Sequence, residues 1–315
     1  MNSKIALVLG ATGGIGSAVA QRLTASGWRV RALHRMPGRV AEKHGYDWRV
    51  GDAMSADDVA SAAQGVSLIV HAVNPPGYRD WDKLVLPMLD NTISAAHANG
   101  AKILFPGTVY NYGRDAFPVI AEDAPQRPHT RKGAIRVEME RRLQVHAETG
   151  GGSVLIVRAG DFFGPGSANN WFGQLVPAGK RPSAVTYPGR RGVGHQWAYL
   201  PDVAETMVRL LETDCLDAFA SFHMEGFWDG DGTRMADTIC RVLGDPAVPV
   251  RKTPWWMMLL ASPFVPMLRE VMEMKYLWDL PVRLSGDRTK AALGEEPRTP
   301  LEVAVRATLA DMRCL

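Results

Sequence analysis

Three glycines near the amino end carry the clearest chemistry in the chain. Gly10, Gly13 and Gly16 follow the apolar run Ile5-Ala-Leu-Val-Leu9 and lead into Ser17-Ala-Val-Ala20, so a strand passes through a tight turn into a helix. The spacing G-x-x-G-x-x-G suits a dinucleotide pyrophosphate. The first glycine lets the chain reverse, the second admits backbone N–H groups to phosphate oxygens, and the third lets the helix lie close on the strand. The helix then turns unpaired N–H groups and a partial positive charge toward the phosphates. The competing reading is a glycine-rich turn that binds nothing. The next strand, Trp28 to Leu33, ends in His34-Arg35. An acid there would accept hydrogen bonds from the adenosine ribose and repel a 2′-phosphate. Arg35, with His34 and Arg39 beside it, instead reads either as a charge-assisted clamp on the 2′-phosphate of NADP or as a solvated surface arginine. NADP is therefore expected in preference to NAD. Asp52 and Ala53, past the third strand, are placed to touch the adenine.

Two further groups bear chemistry. His71 ends the apolar run 66–73 and is either a hydrogen-bonded core histidine or a catalytic one. Gly189-Arg190-Arg191-Gly192 is either an anion-holding loop or a solvated turn.

The elements that must position these residues alternate. Strands are expected at 4–10, 28–33, 48–52, 66–73, 102–105 and 154–157, with helices over 14–26, from Asp57, and over 82–99. Pro87 marks either a kink or the true first turn of the last of these. Strand–helix alternation without short hairpins predicts a right-handed parallel sheet flanked by helices. The fold class is thus α/β, a doubly wound parallel sheet of Rossmann type with a smaller, mainly helical C-terminal substrate lobe. Residues 1–163 and 195–225 are assigned to the nucleotide-binding domain, and 164–194 with 226–315 to the lobe. His195 to Leu200 is expected to return to the main sheet. Trp255, Trp256, Met257, Met258, Tyr276 and Trp278 are expected inside, as core or as the wall of an apolar pocket.

Composition bounds the partners. With 315 residues, 46% of them hydrophobic, the chain can bury a large core. A net charge of +3 without a run of like charges points to no nucleic acid. Cys215, Cys240 and Cys314 lack disulfide or metal-ligand spacing. No metal is expected, and a reducing, cytoplasmic setting without a signal peptide fits best. The most apolar run, 255–268, is broken by Pro263 and Pro266 and is too short to span a bilayer, so no membrane partner is expected.

The landmarks Thr12-Gly-Gly-Ile-Gly16, Gly51-Asp52, Thr108 to Gly113, Arg158-Ala-Gly-Asp-Phe-Phe-Gly164-Pro-Gly166, Tyr199-Leu-Pro-Asp202 and Pro297-Arg-Thr-Pro300 occur in a telling order. In that order the chain resembles the extended branch of the short-chain dehydrogenase/reductase family, which includes the nucleotide-sugar epimerases and dehydratases. The resemblance implies three roles: a Ser or Thr after the fifth strand that holds the substrate oxygen, a Tyr that transfers the proton, and a Lys four residues later that lowers the tyrosine pKa and binds the nicotinamide ribose. Thr108 matches the first. Counting from Thr108 and anchoring on Glu140 puts Lys132 in place of Tyr and Arg136 in place of Lys. Arg136 can still bind ribose hydroxyls. Lys132 can act as a base only if burial beside Arg136 lowers its pKa toward neutrality. Tyr110 or Tyr112 is the alternative source of a phenol. The segment 161–166 resembles the one lying over the nicotinamide, with Phe162 and Phe163 either walling the ring or packing in the core.

The expected cofactor set is Gly10, Thr12, Gly13, Gly14, Ile15, Gly16, His34, Arg35, Asp52, Ala53, Ala72 and Arg136; the catalytic set is Thr108, Lys132, Arg136 and Tyr110. Three functions remain open: an NADP-dependent oxidoreductase acting on a carbonyl or hydroxyl of a small molecule, a nucleotide-sugar epimerase or dehydratase, and an NADP-binding regulator without catalysis. A homodimer is a family-level expectation only.

Overall fold

The computed structural model describes residues 4–40, 45–75, 80–168, 170–213, 216–245 and 247–315. Cys215 lies outside the described residues. In chain order the first half contains β1 (Ile5–Leu9), α1 (Gly14–Ala25), β2 (Arg29–His34), β3 (Asp47–Val50), α2 (Ala56–Ala62), β4 (Leu68–His71), α3 (Trp81–Asn99), β5 (Lys102–Gly107), β6 (Val119–Ile120), α4 (Arg131–Glu148) and β7 (Val154–Arg158). Next come β8 (Asp161–Phe163), α5 (Trp171–Leu175), β9 (Val185–Tyr187), β10 (His195–Tyr199), α6 (Leu200–Leu211), β11 (Phe219–His223), β12 (Phe227–Asp229) and α7 (Arg234–Leu243). The chain closes with β13 (Val250–Lys252), α8 (Trp255–Ala261), α9 (Pro266–Glu273), α10 (Tyr276–Asp279), β14 (Arg283–Leu284), α11 (Asp287–Leu293) and α12 (Leu301–Asp311).

The main sheet has seven parallel strands in the order β11-β7-β5-β4-β1-β2-β3. The chain runs outward from β1 through β2 to β3, then returns to build the other half from β4. The glycine turn at the end of β1 therefore sits at the topological switch point, where open α/β sheets bind ligands. Strand alternation supplies both faces of the core. Ala6 and Val8 join Val19, Leu23, Val203 and Met207 on the side of α1 and α6, while Leu7 and Leu9 join Val85, Leu89, Met139 and Leu143 on the side of α3 and α4. Pro87 lies inside α3 and does not start it.

Two expectations change. His195–Tyr199 does not return to the main sheet. The edge beside β7 is taken by β11, and β10 instead pairs parallel with β8 and antiparallel with β12 in a separate three-stranded sheet. Nor is the stretch 255–268 core: Trp256, Met257, Leu259, Leu260, Phe264 and Met267 are all exposed. Helix α9 is held to α4 by its carboxylates, which leaves apolar side chains of the α8–α9 hairpin facing outward. Of the aromatic residues expected inside, Tyr276 and Trp278 are buried. Trp278 joins Phe163, Phe172, Trp197 and Ile239 in one core cluster, which draws on both sides of the expected domain division.

Candidate active site

The glycine turn has the shape its spacing predicts. Gly10 has a φ of +89°, and a Cβ there would stand 2.5 Å from the Ala72 carbonyl oxygen. A Cβ on Gly16 would stand 2.2 Å from the Gly10 carbonyl oxygen, so α1 approaches β1 as closely as a backbone can. Gly13 is the N-cap residue, and no side chain caps the helix. Thr12 and Gly13 are exposed, with Gly14 and Ile15 half-buried behind them. The first-turn N–H groups thus open on a surface that a pyrophosphate can reach.

Around this turn, Ala72 lies directly below Gly10 and Gly16, its N–H donating to the Leu9 carbonyl at 3.0 Å. The Asp52 carboxylate accepts from its own turn, at the Met54 N–H (3.0 Å), while the Asp52 N–H donates to Asp58. Ala53 is buried, and its carbonyl accepts from Asn91. His34 Nδ1 accepts from the Met36 N–H, its ring edge-on to Trp48. Arg35 is exposed at the end of β2.

After β5 the chain turns through Thr108, and a buried polar network holds that turn. Thr108 Oγ1 donates to Asn111 Oδ1 (3.1 Å), Asn111 Nδ2 to Gln126, and Gln126 Nε2 to Glu140. Glu140 accepts both ends of the Arg158 guanidinium at 2.8–2.9 Å, and Arg158 also donates to the Thr108 carbonyl. Arg158 is fully buried, and this bidentate pair fixes it. Tyr112 is closed off, with its hydroxyl on His223 Nε2 at 3.1 Å, and burial raises its pKa. Tyr110, on the same turn, remains half-buried.

Helix α4 brings the other two residues to this turn. Gly133 allows it: a Cβ there would stand 2.3 Å from the Tyr110 carbonyl oxygen. Arg136 lies against the end of β5, its guanidinium over the rings of Trp81 (5.3 Å) and Phe105 (5.5 Å) and near the Pro106 carbonyl. Lys132 is fully buried, but its partners are carboxylates rather than Arg136. Its Nζ contacts Glu270, donates to Glu273 Oε2 at 2.5 Å, and reaches the Glu270 carbonyl at 3.2 Å. Burial by itself would raise Glu273; hydrogen bonds from the Lys132 side chain and backbone outweigh it and hold that carboxyl below its usual range. The condition under which Lys132 could act as a base is burial beside Arg136; Lys132 is buried, but against Glu270 and Glu273 of α9.

A model of the NAD dependent epimerase/dehydratase family matches residues 6–218. The chain belongs to this family. Solved structures of similar fold include MoeE5 in complex with UDP-glucuronic acid and NAD, at 17% identity and a TM-score of 0.76 over 99% of both chains. UDP-glucuronic acid 4-epimerase from Bacillus cereus, in complex with NAD, gives 15% and 0.77 over 98% of this chain and 96% of its own. Gox2253 gives 24% and 0.72 over 99% and 98%. None of the curated proteins matches the sequence.

Two further carboxylate groups lie outside the residues expected at the site. Glu270 and Glu273 were not read from the sequence; their only signal is two carboxylates three apart after an uncharged run. Asp161 and His195 form a second pair, Oδ2 to Nε2 at 2.8 Å, with the His195 ring stacked on Trp278 at 3.7 Å. Phe163 is core rather than cofactor wall, fully buried against Phe172 and Trp197. His71 is a core histidine, bonded to Thr92 at 2.7 Å. Arg190 and Arg191 stay exposed, Arg190 donating to the Asp279 carbonyl. Among the described residues no group of His, Cys, Asp and Glu could hold a metal.

Proposed function

We propose that the protein is a nicotinamide-dinucleotide-dependent oxidoreductase acting on a carbonyl or hydroxyl of a small molecule, with NADP as its preferred cofactor. The observation that carries this reading is the uncapped amino end of α1, open beyond a turn where Gly10 and Gly16 admit no side chain. A pyrophosphate fits that end, held by Gly10, Thr12, Gly13, Gly14, Ile15 and Gly16. Asp52, Ala53 and Ala72 border the adenosine side, Arg35 and His34 take the 2′-phosphate, and Arg136 takes the nicotinamide ribose. NAD in two structural neighbours argues the other way on cofactor choice; the ground for NADP is a guanidinium where an acid would stand. When bound, the nicotinamide supplies reversible hydride transfer.

The chain's own residues then have separable tasks. Thr108 Oγ1, which now donates to Asn111, turns to the substrate oxygen and stabilises negative charge there. Tyr110 supplies the phenol, since the Tyr112 hydroxyl is committed to His223. Lys132 positions rather than transfers, tying α9 over the start of α4.

A nucleotide-sugar epimerase is the second reading, favoured by full-length likeness to MoeE5 with its UDP-sugar. Incubation with NADPH and NADH against a panel of aldehydes and ketones, and with UDP-sugars plus NAD, separates the readings. Reduction of a carbonyl with NADPH supports the first reading, and epimerisation supports the second. Nucleotide binding without any turnover would overturn both in favour of a regulator.

A further inference from the structure

Among the described residues, the exposed large apolar side chains gather most densely on the α8–α9 hairpin. Trp256 is 67% exposed, Leu260 67%, Leu259 58% and Phe264, at the tip, 86%. With Met257, Val265 and Met267 they form apolar surface on the order of several hundred Å², at or above the largest patch an ordinary monomer shows to water. We propose that this hairpin is a membrane-surface anchor whose tip enters the headgroup layer of an anionic bilayer.

Three observations favour a lipid surface. The 16 residues from Thr253 to Leu268 contain no charged side chain. The tip also pairs polar groups internally: the Phe264 and Val265 N–H groups donate to the Ala261 carbonyl, and Ser262 Oγ donates to the Leu259 carbonyl at 2.8 Å. A segment entering lipid needs this internal pairing.

The third observation is charge. Arg251 and Lys252 precede the hairpin and Arg269 lies on α9, all exposed. The exposed Arg190 and Arg191 sit on the turn after Pro188, whose carbonyl accepts from Trp255 Nε1 at 2.8 Å. The nearby acids are engaged, Glu270 and Glu273 by Arg131 and Lys132, and Asp279 by Lys275. Cations therefore flank the base of an apolar hairpin that carries Trp256 near its start and Phe264 at its tip, the pattern of an interfacial segment drawn to anionic lipid. No helix among the described residues is long and apolar enough to cross a membrane, so the contact lies in the plane of the surface. A second copy of the chain is the poorer occupant, because a two-fold contact would bring the same cations toward one another.

Flotation with vesicles tests the proposal. The native protein should float with phosphatidylcholine vesicles containing about one-third phosphatidylserine, float far less with phosphatidylcholine alone, and be released by high salt. Trp256→Ser with Phe264→Ser should weaken vesicle binding by about tenfold or more while leaving nicotinamide-nucleotide binding unchanged. Arg251→Gln with Lys252→Gln should weaken it on anionic vesicles only. Native protein that stays down with anionic vesicles overturns the proposal, as does binding indifferent to the Trp256/Phe264 change. A solution dimer that this change dissolves would assign the face to a second copy instead.

Discussion

Lys132 shows how carboxylates from a distant segment can gather at a motif position. Its register in the sequence sets it where a phenol is expected, yet Glu270, one of the carboxylates around it, lies 138 positions away, beyond any local pattern. Lys132→Met would leave two carboxylates facing a buried methyl, and is expected to cost about 3–5 kcal/mol by urea unfolding. Changing Glu270 and Glu273 to Gln in the same chain should restore much of that loss, which a purely catalytic lysine would not show. The proposed role of Arg35 rests on its place at one strand end, where a dinucleotide fold selects its cofactor. Arg35→Ser should weaken NADPH binding roughly 10–100-fold and leave NADH nearly unchanged, read by fluorescence titration. His71 gives a pH prediction. Burial, reinforced by the Arg136 charge, lowers it to about 3, and His223 falls to about 3 through burial and Arg158. Free imidazole titrates near 6.5, so between these values the unfolded chain binds more protons. The stability of the neutral imidazoles is complete above about pH 6.5 and is lost as pH falls toward about 3. Unfolding of His71→Gln should therefore depend less steeply on pH in that window.

At the scale of elements, the strands and helices around the glycine turn could be read in advance because each is set by neighbours in sequence. Helix α1 ends before Gly27, whose φ of +80° suits a residue without Cβ. Gly16→Ala should force α1 away from β1, costing about 1–3 kcal/mol and sharply weakening nucleotide binding. Gly38→Ala, where an added Cβ meets nothing within 4 Å, is the neutral control, and thermal unfolding of the two compares them. β10 was misread because its composition suits any buried strand. Its place was decided by competition for the edge of β7, which β11 won.

Over the whole molecule, the doubly wound sheet followed from strand–helix alternation, and the switch point from the position of β1 within it. The lobe was far less legible. Apolar composition from Trp255 to Leu268 reads as interior, because sequence records how hydrophobic a stretch is and not which side its neighbours cover. Buried Trp278 and exposed Trp256 are alike by residue type and differ only in what packs over them. The rest of the functional reading depends on phosphates resting at the amino end of α1. Equilibrium titration of the purified protein with NADPH and with NADH tests this most directly. Saturable one-site binding, tighter for NADPH and abolished with Gly16→Ala under conditions where that variant remains folded, is the predicted result; failure of the native protein to bind either nucleotide would contradict it.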